Sequence, residues 1–403
     1  MSGFLFVVPP LVGHINPTLG VGAELIRRGH RVAWAGLPDI VQPLVGGDAV
    51  VFPCAAPPLD DPALARPLSL RGPSALKFLW ERFLEPLADA MASGVRTAVE
   101  TFQPDVLVAD QQAVAGGLVA ERLAVPWATS ATTSAGLTAL ADIPKVEAWI
   151  VGVIQRLRLR IGDPSSNADP RMSDRLVLTF STKALVGPGP FPSHVRFVGP
   201  SIAPRPSSYD FPWHWLDEMR ATVLITLGTA NAEVGSRFLA KCAEAVRTQP
   251  HLQAVVVDPS GSLRDIPGQL LIRRVVPQLE LLERCDAVIC HGGHNTVCEA
   301  LWHGLPLVVA PIRDDQPTIA AQVMKAGAGL RVRFNRATAE QLSTAIDAAL
   351  HNPAYRTAAE HVGRSFRAAG GDAAAATYLE RLAAHTTEAG LDPGFWTPER
   401  LGS

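Results

Sequence analysis

The stretch CHGGHNTVCEALWHG, residues 290–304, concentrates side chains that could take part in chemistry. It holds three histidines, two cysteines, two adjacent glycines and an Asn-Thr pair. These residue types fit three kinds of site: a metal centre, a phosphate-binding loop, or a tight turn between a strand and a helix. Their spacing and their neighbours decide among the three.

A metal centre has plausible ligands in Cys290, His291, His294 and Cys298. If a helix begins near His294, then His294 and Cys298 share one of its faces at positions i and i+4. However, no second Cys-x-x-Cys or His-x-x-His pair occurs elsewhere to complete a tetrahedral set. Cys290 also ends an apolar run, where a free cysteine behaves as a small hydrophobic residue. The sequence therefore argues against a structural metal ion.

A phosphate-binding loop fits the pattern better. DAVIC (286–290) predicts a strand, HGGHNT (291–296) a loop and TVCEALWHG (296–304) a helix. Adjacent glycines let the backbone approach a ligand closely, and the unpaired N–H groups of a helix N-terminus attract anions. His291 could donate a hydrogen bond or carry a charge there. We therefore expect a diphosphate site, with an ordinary strand-to-helix turn as the alternative, because glycine loops alone are weak signals.

A second polar group follows the next apolar run. In LPLVVAPIRDDQ, Asp314, Asp315 and Gln316 come directly after a predicted strand, on the same edge of the sheet as the glycine loop. A carboxylate and an amide at that edge could bind the hydroxyl groups of a sugar. Alternatively, Asp315 or Gln316 caps the helix that the sequence predicts to begin near Pro317.

The N-terminal half offers a possible acid–base pair. His14 follows the apolar run FLFVVPP (4–10) and precedes a predicted helix start at Asn16 and Pro17. The positive end of that helix is expected to favour the neutral imidazole, which is the form a base requires. Asp110 ends the run PDVLVAD and could orient the imidazole. The alternatives are a structural loop histidine and an aspartate that caps a helix.

These residues require a scaffold of alternating strands and helices. Buried apolar runs alternate with helical segments twice along the chain, which predicts two parallel α/β sheets of the Rossmann type. We expect an N-terminal domain at 1–200, a proline-rich linker at 201–217, a C-terminal domain at 218–372, and a final helix and tail at 373–403. Ligands bind beyond the carboxyl ends of such strands, so the active site is expected in the cleft between the two sheets.

Composition excludes several classes of protein. The chain has 403 residues, 47% of them hydrophobic, and a formal net charge of -2, so no basic excess suggests a nucleic-acid partner. The five cysteines are irregularly spaced, which is typical of reduced thiols in the cytoplasm. We expect neither a signal peptide nor a membrane-spanning segment, because no apolar run reaches about 18 residues.

Several motifs together resemble one enzyme family. VVPQ and HGGHNTVCEALWHGLPLVVAPIRDDQP are similar to the nucleotide-sugar signature of UDP-glycosyltransferase-like enzymes with the GT-B fold. GHINPTLGVGAELIRRGHRV, PDVLVAD, FVGP and VLITLGT match further landmarks of that family in the same order. The resemblance covers nearly the whole chain and is greatest to bacterial natural-product, macrolide and carotenoid-type transferases. It implies a fold of two facing Rossmann-like domains, with the C-terminal helix packed back on the N-terminal domain.

The resemblance also implies roles for individual residues. His14 would be the general base that deprotonates the acceptor, with Asp110 as its partner. The donor site would comprise diphosphate, ribose, sugar and base contacts from Gly228, Thr229, Val276, Gln278, His291, Gly292, Gly293, Asn295, Thr296, Glu299, Asp315 and Gln316. A solvated surface position is the alternative for Glu299. The reaction would be a hexosyl transfer by direct displacement that inverts the anomeric centre.

One position departs from the family pattern. Many relatives carry a tryptophan before x-Pro-Gln, which gives the base a stacking face, whereas this chain has Val275. The donor therefore stays open between a UDP-sugar and a dTDP-sugar. The sequence lacks the Asp-x-Asp motif of metal-dependent transferases, so we expect no metal requirement and no tightly bound cofactor.

The acceptor is encoded only in outline. The segments 75–91 and 132–154 are apolar and carry aromatic residues, which suggests a pocket for a small hydrophobic acceptor; the alternative is an ordinary core. Arg156, Arg158 and Arg160 alternate with apolar residues and could touch an anionic membrane, or could be a solvated surface. A homodimer is compatible with these features.

We therefore expect an enzyme that glycosylates a small secondary metabolite. One alternative is a transferase that acts on a carotenoid or lipid. A second, from a different class, is a sugar-nucleotide epimerase, which shares the two-domain fold but needs no acceptor.

Overall fold

The computed structural model describes residues 1–58, 70, 72–138, 144–204, 210–228 and 232–388. Within these residues the chain forms two parallel sheets, each covered by helices on both faces. This is the α/β architecture of two Rossmann-like domains that the sequence predicts.

The N-terminal sheet has seven described strands in the order β3-β2-β1-β4-β5-β6-β7. Its central strand β1 has no exposed residue, since apolar side chains cover both of its faces. The strands are β1 (Gly3–Val7), β2 (Arg31–Gly36), β3 (Val50–Pro53), β4 (Val106–Asp110), β5 (Trp127–Ala131), β6 (Val177–Thr179) and β7 (Val195–Phe197).

The C-terminal sheet has six described strands in the order β10-β9-β8-β11-β12-β13. They are β8 (Ala221–Thr226), β9 (Leu252–Val257), β10 (Leu270–Arg273), β11 (Ala287–Cys290), β12 (Leu307–Val309) and β13 (Gly329–Arg331). All of its strand pairs are parallel, so their carboxyl ends lie along one edge.

Helices connect the strands within each half. In the N-terminal half they are α1 (Val12–Arg27), α2 (Pro38–Val45), α3 (Gly72–Leu79), α4 (Glu85–Phe102), α5 (Val114–Arg122), α6 (Ala135–Thr138), α7 (Pro144–Ile161) and α8 (Lys183–Val186). In the C-terminal half they are α9 (Ala232–Arg247), α10 (Gln278–Leu282), α11 (His294–Trp302), α12 (Gln316–Lys325), α13 (Ala339–His351), α14 (Pro353–Ala368) and α15 (Gly371–Glu388). A π-helical turn (Trp80–Leu84) joins α3 to α4, and a 3-10 turn (Trp213–Trp215) precedes β8.

Each sheet has one point where the strand order reverses. In the N-terminal sheet β1 lies between β2 and β4, and in the C-terminal sheet β8 lies between β9 and β11. Connections leave the two central strands in opposite directions, which opens a crevice at their carboxyl ends. His14, Asp110, Gly228 and His291 lie at or just beyond the carboxyl ends of β1, β4, β8 and β11.

The last described helix returns to the N-terminal half. The α15 side chains of Ala375, Leu379 and Leu382 are buried in the same apolar cluster as Phe4 and Phe6 of β1. Glu380 adds an ion pair to Arg28, at 2.6 Å, and a hydrogen bond with His30, at 2.9 Å. The predicted packing of the C-terminal helix on the N-terminal domain is thus confirmed.

The start of α1 differs from the prediction. The helix begins at Val12, not at Asn16, because Leu11 takes an extended backbone conformation and accepts the first N–H groups, those of His14 and Ile15. Pro17 therefore lies inside the helix. It has no N–H to donate to the carbonyl four residues earlier, which leaves the Gly13 carbonyl free for another donor.

The apolar and basic segments of the N-terminal half are largely structural. Trp80 is buried in the main core cluster, while Phe78 and Phe83 are partly buried. Arg158 is also buried, beside Glu121 at 3.4 Å, whereas Arg160 pairs with acidic residues of α4. These pairs favour the interpretation of a folded surface over a membrane-binding face. No described helix is both long and apolar enough to cross a membrane.

Candidate active site

The structure brings His14 and Asp110 together at the reversal point of the N-terminal sheet. His14 lies in the first turn of α1 and Asp110 is the last residue of β4, the strand beside β1. The imidazole Nδ1 lies 2.9 Å and 3.0 Å from the two carboxylate oxygens. Asp110 is 1% exposed, so its charge is shielded from water and directed at the ring.

The pKa of His14 shifts in the direction opposite to the expected one. Burial lowers the pKa of this histidine, but the charge of Asp110 and its hydrogen bond outweigh burial and raise the pKa above its ordinary value. Asp315 adds a smaller contribution in the same direction. The expected influence of the helix terminus on the pKa of His14 is therefore outweighed, because a direct carboxylate partner exceeds the effect of a helix terminus.

Thr132 is a third member of this group. Its hydroxyl lies 2.7 Å from His14 Nδ1 and donates to the second Asp110 oxygen at 2.8 Å. The first Asp110 oxygen accepts the backbone N–H of Gln112 at 2.8 Å. The carboxylate is thus held from three sides. Sequence analysis did not identify Thr132, although its place directly after β5 was an available signal.

The glycine loop of the C-terminal half encloses the ring of His291. A Cβ atom added to Gly228 or Gly293 would lie 2.8 Å or 2.6 Å from ring atoms, so the imidazole fits only between two glycines. Gly228 and Gly292 also have positive φ angles, of 68° and 88°. This packing explains why both strand ends carry glycine.

His291 is neutral in this environment. Burial, with a smaller contribution from the charge of Arg313, lowers its pKa to about 4. Among the described residues Nδ1 has no hydrogen-bond partner. Of the two roles expected for His291, hydrogen bonding is compatible with this environment, and carrying a positive charge at neutral pH is not.

The N-terminus of α11 faces the same cleft. Gly293 is its N-cap residue, so the N–H groups of His294, Asn295 and Thr296 belong to the first turn and have no acceptor inside the helix. These groups and the partial positive charge of the helix end are the features on which the predicted anion site depends.

Asn295 makes a contact that the sequence did not predict. Its side-chain amide donates to the Gly13 carbonyl at 2.8 Å. This is the carbonyl that Pro17 leaves without an intrahelical donor, so a proline in one half creates an acceptor for the other half. The residue before His14 is thereby joined to the anion-site helix.

The predicted base and ribose contacts lie next to each other. The Gln278 amide donates to Glu299 at 2.6 Å, and Glu299 is 1% exposed. The alternative of a solvated surface glutamate is therefore wrong. Val276, two residues before the start of α10, is buried, whereas Val275 is 48% exposed. A small cavity lies against Glu299 and is bounded on the opposite side by Pro17 and Phe180 of the N-terminal half.

The predicted sugar contacts also join the two halves. Asp315 is the N-cap residue of α12 and accepts the Thr133 hydroxyl at 2.7 Å. Burial raises the pKa of Asp315, which outweighs that hydrogen bond. The side-chain Oε1 of Gln316 accepts the backbone N–H groups of Ile312 and Arg313 at 2.8 Å and 3.0 Å, and so fixes the loop before α12.

Three further predictions concern Thr229, the cysteines and a metal centre. Thr229 lies outside the described residues. The five cysteines are free and buried, and burial raises the pKa of Cys54, Cys285 and Cys290 to about 12. In the described part of the chain, no group of three or more His, Cys, Asp or Glu side chains could hold a metal ion.

Comparison with known sequences identifies related enzymes. Residues 252–380 match the family described as erythromycin biosynthesis protein CIII-like, C-terminal domain. The chain is 29% identical to the NDP-glycosyltransferase YjiC of Bacillus subtilis (strain 168), over 92% of this chain and 95% of that one. It is 28% identical to the demethyllactenocin mycarosyltransferase of Streptomyces fradiae, over 95% and 87%.

Solved structures share the fold. A glycosyltransferase of kitacinnamycin matches with a TM-score of 0.74 and 24% identity, over 94% of this chain and 98% of that one. The spinosyn forosaminyltransferase SpnP matches with a TM-score of 0.77 and 18% identity, over 95% and 99%.

These comparisons contradict the epimerase alternative, because the sequence relatives are transferases. With its two facing parallel sheets, the chain has the GT-B fold. It is a glycosyltransferase, and over most of its length it is similar to UDP-glycosyltransferase-like enzymes of natural-product biosynthesis.

Proposed function

We propose that this enzyme transfers a sugar from a UDP- or dTDP-sugar to a hydroxyl group of a small hydrophobic acceptor, with inversion of the anomeric centre. The observation that carries the proposal is the His14–Asp110 pair, at 2.9 Å, which lies across the cleft from the N-terminus of α11. A base and an anion site on opposite walls of one cleft suit a direct displacement.

His14 is the general base in this proposal. Asp110 is an acceptor for Nδ1–H, so the proton is held on Nδ1 and the lone pair on Nε2 is available. The side chain of His14 is 17% exposed, and no described residue hydrogen-bonds its Nε2. Nε2 accepts the acceptor's hydroxyl proton, and the raised pKa of His14 favours that transfer.

The displacement balances without another reactant. The acceptor oxygen forms a bond to the anomeric carbon as the bond from that carbon to the phosphate oxygen breaks. The nucleoside diphosphate leaves with the bonding electrons, and the proton stays on His14. Backbone N–H groups of His294, Asn295 and Thr296 stabilise the charge on the leaving group, and Gly292 and Gly293 let the phosphates approach the backbone. Glu299 and its hydrogen-bond partner Gln278 hold the nucleoside together with Val276, and Asp315 and Gln316 hold the sugar.

The donor is a nucleoside diphosphate sugar whose base is uracil or thymine. Two structural neighbours are described in complex with dTDP or thymidine diphosphate, namely VinC and SpnG, while a sequence relative is named an NDP-glycosyltransferase. The exposed Val275 gives no aromatic face for either base. We propose that neither a metal ion nor a tightly bound cofactor takes part.

The acceptor is a hydrophobic natural product in this proposal, and the enzyme serves antibiotic or related biosynthesis in the cytoplasm. Relatives named for such work include the 4'-demethylrebeccamycin synthase of Lentzea aerocolonigenes, at 28% identity. A carotenoid acceptor is the second candidate, since the zeaxanthin glucosyltransferase of Pantoea ananas is 26% identical over 95% of this chain.

Calorimetry and turnover test the proposal together. We expect UDP or dTDP to bind with equal affinity in the presence and absence of a chelator, both to the wild type and to His14→Ala. Transfer to a phenolic or macrolide acceptor is expected to fall about 10³-fold in His14→Ala, because a general base contributes roughly 10²–10⁴-fold. The matched control is His351→Ala, whose imidazole lies on the surface of α13. Unchanged turnover in His14→Ala contradicts the assignment of the base, and metal-dependent nucleotide binding contradicts the metal-independent donor site.

A further inference from the structure

The hydroxyl of Thr132 contacts both members of the His14–Asp110 pair. Thr132 is 3% exposed, and its hydroxyl lies within hydrogen-bond distance of both His14 Nδ1 and Asp110 Oδ2, at 2.7 Å and 2.8 Å. A hydroxyl has one proton to donate and can also accept. The direction of that proton therefore determines which tautomer of His14 is stable.

The carboxylate decides the direction. Asp110 Oδ2 is the stronger acceptor, because a hydrogen bond to an ionised oxygen is stronger than one to a neutral nitrogen. If Thr132 donated to Nδ1 instead, that nitrogen would carry a lone pair facing the Asp110 carboxylate, and the proton would move to Nε2. Donation to Asp110 leaves only acceptor atoms around Nδ1, which keeps the proton on Nδ1 and the lone pair on Nε2.

The backbone around Thr132 is fixed from both halves of the molecule. The preceding strand β5 pairs with β4, where Ser130 lies opposite Asp110. The next hydroxyl, Thr133, donates to Asp315 at 2.7 Å, and Ser134 donates to the side-chain carbonyl of Gln322 on α12 at 2.8 Å. Three successive hydroxyl groups thus contact three different places: Thr132 the His14–Asp110 pair, Thr133 the predicted sugar site, and Ser134 the helix α12. The location of Thr132 relative to His14 is set by contacts on both sides of the cleft.

We propose that Thr132 is a positioning residue for the transfer reaction, which fixes the Asp110 carboxylate and the productive tautomer of His14. It acts through His14 and does not touch the substrate. The inference rests on the proposed role of His14 as general base.

The test uses three substitutions in the full-length enzyme. Thr132→Val keeps the shape of the side chain and removes the hydroxyl, while Thr132→Ser keeps the hydroxyl. Thr179→Val is the matched control: Thr179 lies in β6 opposite Ala131, is fully buried, and its hydroxyl has no partner among the described residues. All three are first compared with the wild type by thermal unfolding, which separates loss of fold from loss of position.

We expect kcat of Thr132→Val to fall roughly 10- to 100-fold, the effect of losing a hydrogen bond to a charged group. KM for the donor should change less than about twofold, since the substitution leaves the donor site intact. Thr132→Ser should recover most of the lost kcat, and Thr179→Val should match the wild type.

The pH dependence of kcat/KM distinguishes a positioning role from a purely structural one, because a purely structural role would leave it unchanged. The titratable groups that face His14 are Asp110 from β4, Asp315 from the loop before α12, and His294 from α11. Loss of the Thr132 hydrogen bond leaves the Asp110 carboxylate more basic, so it holds the imidazolium more strongly. We expect the acidic limb of kcat/KM to move to higher pH in Thr132→Val but not in Thr179→Val.

Failure of the inference is distinguishable from failure of the proposed function. If His14→Ala abolishes transfer but Thr132→Val retains both the kcat and the acidic limb of the wild type, then Thr132 has no positioning role. Equal impairment of Thr132→Ser and Thr132→Val overturns the inference too, because the hydroxyl would then be irrelevant. If His14→Ala itself transfers normally, the general-base proposal fails first.

Discussion

The loop after β1 and the loop after β11 share a plan but differ in electrostatics. Each follows a buried central strand, and each carries histidine where a helix begins. In the first loop the Asp110 carboxylate overcomes burial and raises the pKa of His14. In the second loop burial dominates, and the pKa values of His291 and His294 are lowered to about 4.

The difference shows that neighbours, not the position beside a helix terminus, set the charge of a histidine. A fixed carboxylate makes a group that can take up a proton during the reaction. Burial between two glycines keeps the imidazole of His291 neutral. The N-terminus of α11 is then the source of positive potential in the second loop. In the proposed mechanism the same pair of elements, a strand followed by a helix, carries the base on one wall of the cleft and the anion site on the other.

The substitution Asp110→Asn should have the largest effect on the difference between the two loops, because it removes the charge that raises the pKa of His14. The amide keeps the size of the side chain but removes the charge that raises the pKa of His14. We expect kcat to fall about 10³-fold, with the acidic limb of kcat/KM moved to lower pH, because a neutral partner no longer favours the imidazolium. Steady-state rates between pH 5 and 9 measure both effects. A limb that stays in place would mean that another group controls it.

Gly293→Ala tests the packed wall of the cleft. The added methyl group would meet the His291 ring at 2.6 Å, so the ring or the backbone of the loop must shift. We expect the affinity for UDP or dTDP to fall roughly 10- to 100-fold, as for loss of one or two well-placed hydrogen bonds. Gly47→Ala is the control, since nothing lies within 4 Å of its added Cβ. Calorimetric titration decides, and equal affinities in the two variants would remove His291 from the donor site.

The last prediction concerns stability, not catalysis or binding. Because the pKa of His294 falls from 6.5 to about 4 on folding, the unfolded chain binds a proton in this range that the native state does not. Its contribution to the free energy of unfolding is therefore full above pH 6.5 and decreases as the pH falls toward 4, by about 3 kcal/mol at most. Denaturant unfolding should show that His294→Gln loses less stability than the wild type across this window. His351→Gln, on the surface, should follow the wild type.

Much of the fold was predictable because it depends on local patterns. The run DAVIC predicted a strand at 286–290, and β11 spans Ala287–Cys290, since a short buried apolar run before a glycine loop allows few alternatives. The helix start at Asn16 was wrong, because Leu11 begins the helix through its backbone alone and no side-chain cap marks it. Periodicity indicates that a helix exists more reliably than where it begins.

The site was predictable in its parts and not in its contacts. The strand ends placed His14 near Asp110, as parallel topology requires. The hydroxyl of Thr132 on that pair and the amide of Asn295 on Gly13 join segments that are distant in sequence, and no local signal marks their side-chain directions. The pKa of a buried group depends on the same distant neighbours, which is why the direction of the His14 shift was not predicted from the helix start.

The return of α15 to the N-terminal half has a practical consequence for chimeric enzymes. The half that carries His14 is built from two separate pieces of chain, since α15 shares a core with Phe4 and binds α1 through Glu380. An exchange of acceptor domains between relatives that cuts only in the linker would pair one protein's α1 with another's α15. Hybrids of this family should therefore exchange residues 371–388 together with the N-terminal sheet.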